Sequence, residues 1–272
     1  MAPRFQRLRL RHPWRRMALH AWKRPADPSV YGFLDLDATR AIAWIEEARA
    51  RTGVHVTITH LVGKAAAMAL AARPDVNAIV RGGRGIWARD RVDVFFQIAR
   101  DRGEDLLGAL VKDADEKDPV AIATELEHLA KRVRAHRDPS LDLTSRLMER
   151  LPDPLIGPAM RVAETLGYDL GLDLRRLGIP FDAFGSVMIT NVGTFGLTSA
   201  LAPLVPFART PLVITVGAIQ DTPVAIDGRV EVRPVLELGV TLDHRILDGF
   251  QAGQLATRFR EVLEDPARAL SA

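Results

Sequence analysis

Leu242-Asp243-His244-Arg245-Ile246-Leu247-Asp248-Gly249 is the stretch on which the reading of this 272-residue sequence turns. Upstream of it Leu236, Leu238, Val240 and Leu242 alternate with Glu237, Gly239, Thr241 and Asp243, the period of a strand buried on one face. Downstream, Phe250, Leu255, Phe259, Val262 and Leu263 fall at roughly helical spacing until Asp265-Pro266 stops the run. Between the two, His244 leaves the sheet edge, and Asp248-Gly249 makes the turn with Asp248 able to cap the helix. A lone histidine is ordinarily structural, so the rest of the chain has to decide what His244 is for.

Length and composition bound the answer loosely. The chain is long enough to bury a sizeable core, and 47% apolar with 26% charged residues is ordinary globular composition. A formal charge of +3, from 37 Lys+Arg against 34 Asp+Glu, gives no general nucleic-acid reading. Arg4, Arg7, Arg9, Arg11, Arg15 and Arg16 nevertheless crowd a leader with no acid before Asp27. Such an arm is solvated or binds a subunit, an acidic partner or a phosphate. Cysteine is absent, which excludes disulfides, thiolate metal sites and a cysteine nucleophile, so thiol chemistry would need a thiol supplied by the substrate. No signal-length apolar segment and no run of about 20 apolar residues occurs, so a cytoplasmic location and no membrane span are expected.

Taken in order, residues 1–13 read as a basic flexible leader, and Trp14 to Trp22 as a short helix ended by Pro25 and Pro28. Val30 to Asp37 alternates as a strand, and Ala38 to Thr52 is a helix closed by Gly53. His55 to Ile58 is extended, and Thr59 caps a small-residue helix through Ala72. On an extended segment His55 and His60 face opposite ways, which argues against chelation; no metal is expected. Arg81-Gly82-Gly83-Arg84-Gly85 reads as a tight hairpin. Val92 to Ala99 and Leu106 to Val111 are strands on either side of a charged turn, and Asp118-Pro119 opens a helix with Ile122, Leu126, Leu129 and Val133 on its buried stripe. From about 139 to 184, prolines 152, 154 and 158 interrupt apolar clusters, a helical insert that is a packing cap, a lid or a contact between subunits. Ser186 to Asn191 is a strand ending in the bend Val192-Gly193-Thr194-Phe195-Gly196. Pro211 to Ala218 is a strand buried on both faces, and Asp227-Gly228 is the strongest hairpin signal in the chain.

A neutral imidazole, with reference pKa about 6.5, can take the proton of a thiol near about 8.5 at neutral pH with a modest uphill step. The resulting thiolate attacks an acyl carbon, and the tetrahedral oxyanion then needs a donor, for which a hydroxyl beside a glycine-rich bend is suitable. Thr190 is the candidate, against the plainer reading of a strand threonine satisfied by backbone. Asp248 either orients the imidazole or binds an arginine and fixes the loop, and its capping position favours the second. No Gly-x-Ser-x-Gly elbow occurs, which weakens a serine-hydrolase reading.

These residues resemble a family. Asp243-His244-Arg245-Ile246-Leu247-Asp248-Gly249 looks like the D-H-R-x-x-D-G signature of dihydrolipoamide acyltransferase catalytic domains, the cores of 2-oxo acid dehydrogenase complexes, which share the chloramphenicol acetyltransferase fold. Met188 to Gly196 is similar to that family's F-T-I-S-N-L-G-x-F-G segment. Val213 to Ile219 and Val232-Arg233-Pro234-Val235 match the strands between, and Arg15 to Ala18, Pro74 to Ala78 and Asp113-Ala114-Asp115 are similar to upstream landmarks in the same order. The resemblance implies an α/β, two-layer sandwich of mixed sheet and helices over residues 14–272, with the helical insert. It implies an acyltransferase with coenzyme A as co-substrate and an acyl-dihydrolipoyl arm as the other thiol. His244 would be the general base, Asp248 the organiser of the loop and Thr190 the oxyanion donor in place of the family's serine. Asn191, Gly193 and Arg245 would be substrate-binding, Arg245 serving structure more than substrate. Homotrimers with sites between subunits, and larger assemblies, are the implied partners.

The departures are specific. No lipoyl or peripheral-subunit-binding domain precedes Arg15, so a lipoyl arm is expected in trans. The family's T-P-x-G-L channel segment appears as Arg100-Asp101-Arg102-Gly103-Glu104-Asp105-Leu106, and the arginine expected after Arg15-Arg16 gives way to His20 or Ala21. Two rivals stay open: a non-catalytic trimeric scaffold, and an acyltransferase of the same fold with another acceptor. Asp243 before the histidine argues against the H-H-x-x-x-D-G enzymes among the latter.

Overall fold

The strand predicted to end at His244 is the longest among the described residues. In the computed structural model, which describes residues 27–81, 85–100, 105–134, 152–174 and 182–271, it runs over Arg229–Asp243. In chain order the elements are β1 (Ser29–Asp37), α1 (Thr39–Thr52), α2 (Ile58–Ala71), β2 (Ala78–Arg81), β3 (Gly85–Ala88), β4 (Val94–Arg100), β5 (Asp105–Val111) and α3 (Pro119–Arg134). Then come α4 (Asp153–Glu164), β6 (Val187–Asn191), β7 (Leu212–Val216), β8 (Gln220–Ile226), β9 (Arg229–Asp243), α5 (Gly249–Glu264) and α6 (Pro266–Ala269).

Seven strands form one mixed sheet in the order β1-β9-β7-β6-β4-β5, with β8 pairing the first half of β9. β6 runs parallel to both β4 and β7, and the other pairings are antiparallel. One face buries Leu236, Leu238, Ile214, Val216, Val187, Ile189, Val94 and Phe96 against helices. In α2 the run of Ala65, Ala66, Ala67 and Ala69, all four buried, lets helix backbone approach the sheet. The result is the expected two-layer α/β sandwich, since a sheet with one apolar face needs a helical layer to cover it.

The other face is covered by chain without regular structure. Thr215 Oγ1 donates to the Ala200 carbonyl, and Thr241 Oγ1 donates to that of Ala202 at 2.6 Å. A Cβ at Gly239 would overlap the Ala200 carbonyl oxygen. Gly239 is therefore the gap in β9 through which residues 198–202 lie against the sheet. Beyond them Met188, Ala208 and Val213 form a second small core with Phe95 and Phe184.

Most sequence-level boundaries hold within two residues. The Asp227-Gly228 turn has φ of 49° and 77°, the left-handed pair that a two-residue hairpin requires. β2 and β3 pair antiparallel from Arg81 opposite Gly85, as the glycine-rich hairpin demands. Two details differ. The cap of α2 is Thr57, in a capping box with His60, and Thr59 lies inside the helix; the cap that satisfies end groups sits two residues earlier than the apolar run suggested. Phe250, placed with the apolar stripe of α5, is 69% exposed in the first turn of that helix, while Leu255, Phe259, Val262 and Leu263 further along are buried. The leader 1–13, the helix at 14–22, most of the turn 100–105 and the insert's 139–151 and 175–181 lie outside the described residues. Within the rest of the insert, α4 continues into a π-helical turn, Thr165–Asp169. Among the described residues no helix is long and apolar enough to cross a membrane.

Candidate active site

His244 stands where β9 stops. Its backbone N–H donates to the Pro28 carbonyl at 2.9 Å, and Asp243 N–H donates to that of Pro211 at 2.9 Å, so the turn is held to the strand on either side. The Ile246 and Leu247 N–H groups fold back onto the Asp243 carbonyl at 2.9 and 3.0 Å. The His244 side chain is exposed. Its Nδ1 lies 2.7 Å from the Leu247 carbonyl oxygen. A carbonyl can only accept, so Nδ1 carries the hydrogen and Nε2 keeps its lone pair. A single backbone contact thus fixes both the tautomer and the ring's orientation.

The flanking charges serve the turn. Asp243 is buried, and its carboxylate accepts from the Arg245 N–H at 3.0 Å, Nε at 2.9 Å and Nη2 at 2.6 Å. The Asp243 side-chain hydrogen bond holds the Arg245 guanidinium above its ordinary pKa. Asp248 accepts from the Phe250 N–H at 2.8 Å, while its own N–H donates to Gln251 Oε1 at 3.0 Å, a complete capping box. The imidazole is oriented by the Leu247 carbonyl, a group invisible to a reading based on side-chain types.

Thr190 lies at the opposite end of the sheet. On β6, Val187 and Ile189 point into the helical core, so alternation puts Thr190 with Met188 on the other face. There it pairs with Thr215, which pairs in turn with Gly239. Thr215 spends its hydroxyl on Ala200, whereas that of Thr190 has no protein partner among the described residues. From Gly239 to His244 is about 16 Å along the strand, and Thr190 is a further two strand spacings, about 10 Å, to the side. One chain therefore does not bring His244 and Thr190 together.

The residues after Thr190 build its bend. Asn191 Nδ2 donates to Thr59 Oγ1 at 2.7 Å, and its Oδ1 accepts from the Thr194 N–H at 3.1 Å, so the amide ties the bend to α2. A Cβ on Gly193 would stand 2.6 Å from the Ala218 nitrogen. Gly193 is thus required by packing, and both residues shape the backbone beside Thr190.

Residues 11–146 and 183–271 match the family described as 2-oxoacid dehydrogenases acyltransferase (catalytic domain). The chain belongs to this family. A lipoamide acyltransferase component of the branched-chain alpha-keto acid dehydrogenase complex of Bacillus subtilis is 26% identical over 87% of this chain and 47% of that protein. A dihydrolipoyllysine-residue succinyltransferase component of the 2-oxoglutarate dehydrogenase complex of Escherichia coli K12 is 31% identical over 44% of this chain and 31% of its own length. The chain thus spans a third to a half of these curated relatives. Among solved structures, a dihydrolipoamide acetyltransferase of Azotobacter vinelandii has the same fold, with TM-score 0.67 and 21% identity over 90% of this chain and 85% of that one. A probable dihydrolipoamide acetyltransferase of Listeria monocytogenes gives 0.66 and 21% over 96% and 94%.

The acyltransferase match omits residues 147–182, close to the insert expected at 139–184. Its described part is held by a cluster that sequence reasoning missed. Arg209, with φ of 51°, donates to Glu164 Oε1 at 2.8 Å, Asp169 Oδ1 at 2.6 Å and the Val80 carbonyl at 2.8 Å. Arg89 forks onto Asp182 at 2.7 and 3.0 Å, and the Tyr168 hydroxyl donates to the Ala208 carbonyl at 3.2 Å. Burial, and then the Asp182 charge, push the Tyr168 phenol well above its usual range. Four chain segments meet there, so no local pattern announced it.

Proposed function

We propose that this chain transfers an acyl group between coenzyme A and a thiol acceptor such as dihydrolipoamide, at a site made by His244 of one copy and Thr190 of a second. The observation that carries the reading is the His244 tautomer, with Nδ1–H engaged by Leu247 on a residue exposed at the end of the sheet. Nε2 takes the proton of the acceptor thiol, and the thiolate adds to the thioester carbonyl carbon. The oxyanion that forms accepts from the Thr190 hydroxyl of the neighbouring copy. Collapse breaks the old carbon–sulfur bond, and the departing thiolate recovers the proton from the imidazolium. Asp243, Arg245 and Asp248 hold the turn, while Asn191 and Gly193 shape the opposing bend.

Family membership supports acyl transfer, and the separation of His244 from Thr190 within one chain supports a homotrimeric or larger ring. A lipoyl arm would come from outside these 272 residues. The acceptor is the open variable: the charged run Arg100 to Leu106, where the family has T-P-x-G-L, favours a thiol other than lipoamide as the second reading.

The test is complementation. His244→Ala and Thr190→Val copies, each nearly inactive alone, are mixed, dissociated and reassembled, then assayed for thioester exchange with several acyl-coenzyme A donors. About a quarter of parental activity is expected if each site draws on two copies in a closed ring. No recovery in a well-formed mixed oligomer would sink the shared site, and a parent that assembles but turns over no donor would leave a scaffold.

A further inference from the structure

The insert is fixed to a particular end of the molecule. Arg209 is followed by Thr210 and Pro211, and Pro211 accepts the Asp243 N–H beside His244. The Arg209 charge is close enough to act on the Arg245 guanidinium. Arg89, Arg209 and Tyr168 therefore anchor α4 and its π-helical turn at the His244 end of the sheet.

α4 has two apolar sides. Ile156, Met160 and Ala163 are half-buried toward Pro206–Ala208, the 3-10 turn that α4 packs on. Leu155 and Val162, seven residues apart and so on one stripe, are 51% and 56% exposed, and Leu170 just beyond is 61% exposed. Such a row on a helix with no fully buried residue is anchored from behind and, among the described residues, uncovered in front. At the other end of the sheet, the bend after Thr190 presents Phe195 and Leu197, 55% and 51% exposed.

We propose that the insert is an added piece of the contact between copies, its Leu155, Val162 and Leu170 stripe receiving the Phe195 and Leu197 end of the next copy. The inference rests on the shared site proposed above: if His244 of one copy meets Thr190 of another, the Thr190 end must approach the end where the insert stands. Two different patches at opposite ends make a head-to-tail contact, which closes into a ring when the rotation per copy allows it. The contact is additional to those of the family, because residues 147–182 fall outside the family match. The Arg209 cluster supplies the rigidity that an interface helix with no buried residue lacks.

The experiment reads association, not turnover. Sedimentation over a concentration series is run on the parent, on Leu155→Glu/Val162→Glu and on Phe195→Glu, with thermal melts to verify that each exposed-site variant folds. Both variants should raise the concentration for half-assembly at least about tenfold, the scale of losing an apolar anchor from an interface. An insert variant that assembles at the parental concentration, or a parent that stays monomeric, overturns the proposal. A parent that assembles yet transfers no acyl group counts against the proposed function alone.

Discussion

In the proposed reaction each ring nitrogen of His244 has one task, Nδ1 bonding to the Leu247 carbonyl and Nε2 moving the proton. Because Nδ1 is spent on Leu247, a His244→Gln variant that keeps a polar group at the site still lacks the free basic nitrogen. Coenzyme A-dependent transfer should fall at least about 100-fold in it and in His244→Ala; parental rates in either would remove His244 from the reaction. Thr190→Val preserves shape and loses the hydroxyl, with an expected cost of about 2 to 4 kcal/mol in transition-state stabilisation. An unchanged kcat/KM in that variant would put the oxyanion donor elsewhere. His60 shows the contrasting structural role: burial first, then the charges of His55 and Arg49, lower its pKa to about 4. Unfolded, it titrates near 6.5, so between those values the unfolded chain binds more protons and stability falls as pH drops. Up to about 3 kcal/mol present above pH 6.5 should be lost by pH 4. Urea midpoints of the parent and His60→Asn at pH 7.5 and 4.5 test this, and equal losses in the two would refute it.

At the scale of elements, β9 does most of the organising, and its glycine is the sharpest test. Gly239→Ala drives a methyl into the Ala200 carbonyl and should destabilise by about 1 to 3 kcal/mol, or displace residues 198–202. A thermal melt superimposable on the parent's would show that the covering segment yields freely. Asp248→Ala removes the cap of α5 and should cost about 1 kcal/mol. Elements of this kind were legible in the sequence because their signals are local: alternation in Leu236 to Leu242, Asp227-Gly228 between two strands, Gly53 after a helix. The tautomer-fixing carbonyl of Leu247 was not legible, since every residue carries the same group. Nor was the distance between His244 and Thr190, which depends on register across three strands. The Arg209 cluster escaped for the same reason, its partners being 40 to 129 residues away along the chain.

For the whole molecule, the cluster around Arg209 and the pairing of β1 with β9 matter most. Arg209→Met would remove the guanidinium that both Glu164 and Asp169 bond at partly buried positions, an expected loss of about 3 kcal/mol. Proteolysis should then cut within α4 before it cuts the sheet; protection equal to the parent's would mean that the insert is held by something else. Among the described residues β1 hydrogen-bonds to β9 and to no other strand of the sheet, and about 190 residues separate the two along the chain. During synthesis at roughly 5 to 20 residues per second, residues 29–37 wait on the order of ten seconds or more for the strand that will accept them. Over that interval Val30, Tyr31 and Phe33 belong to an unpaired hydrophobic edge, so the nascent chain should depend on chaperones and fold slowly.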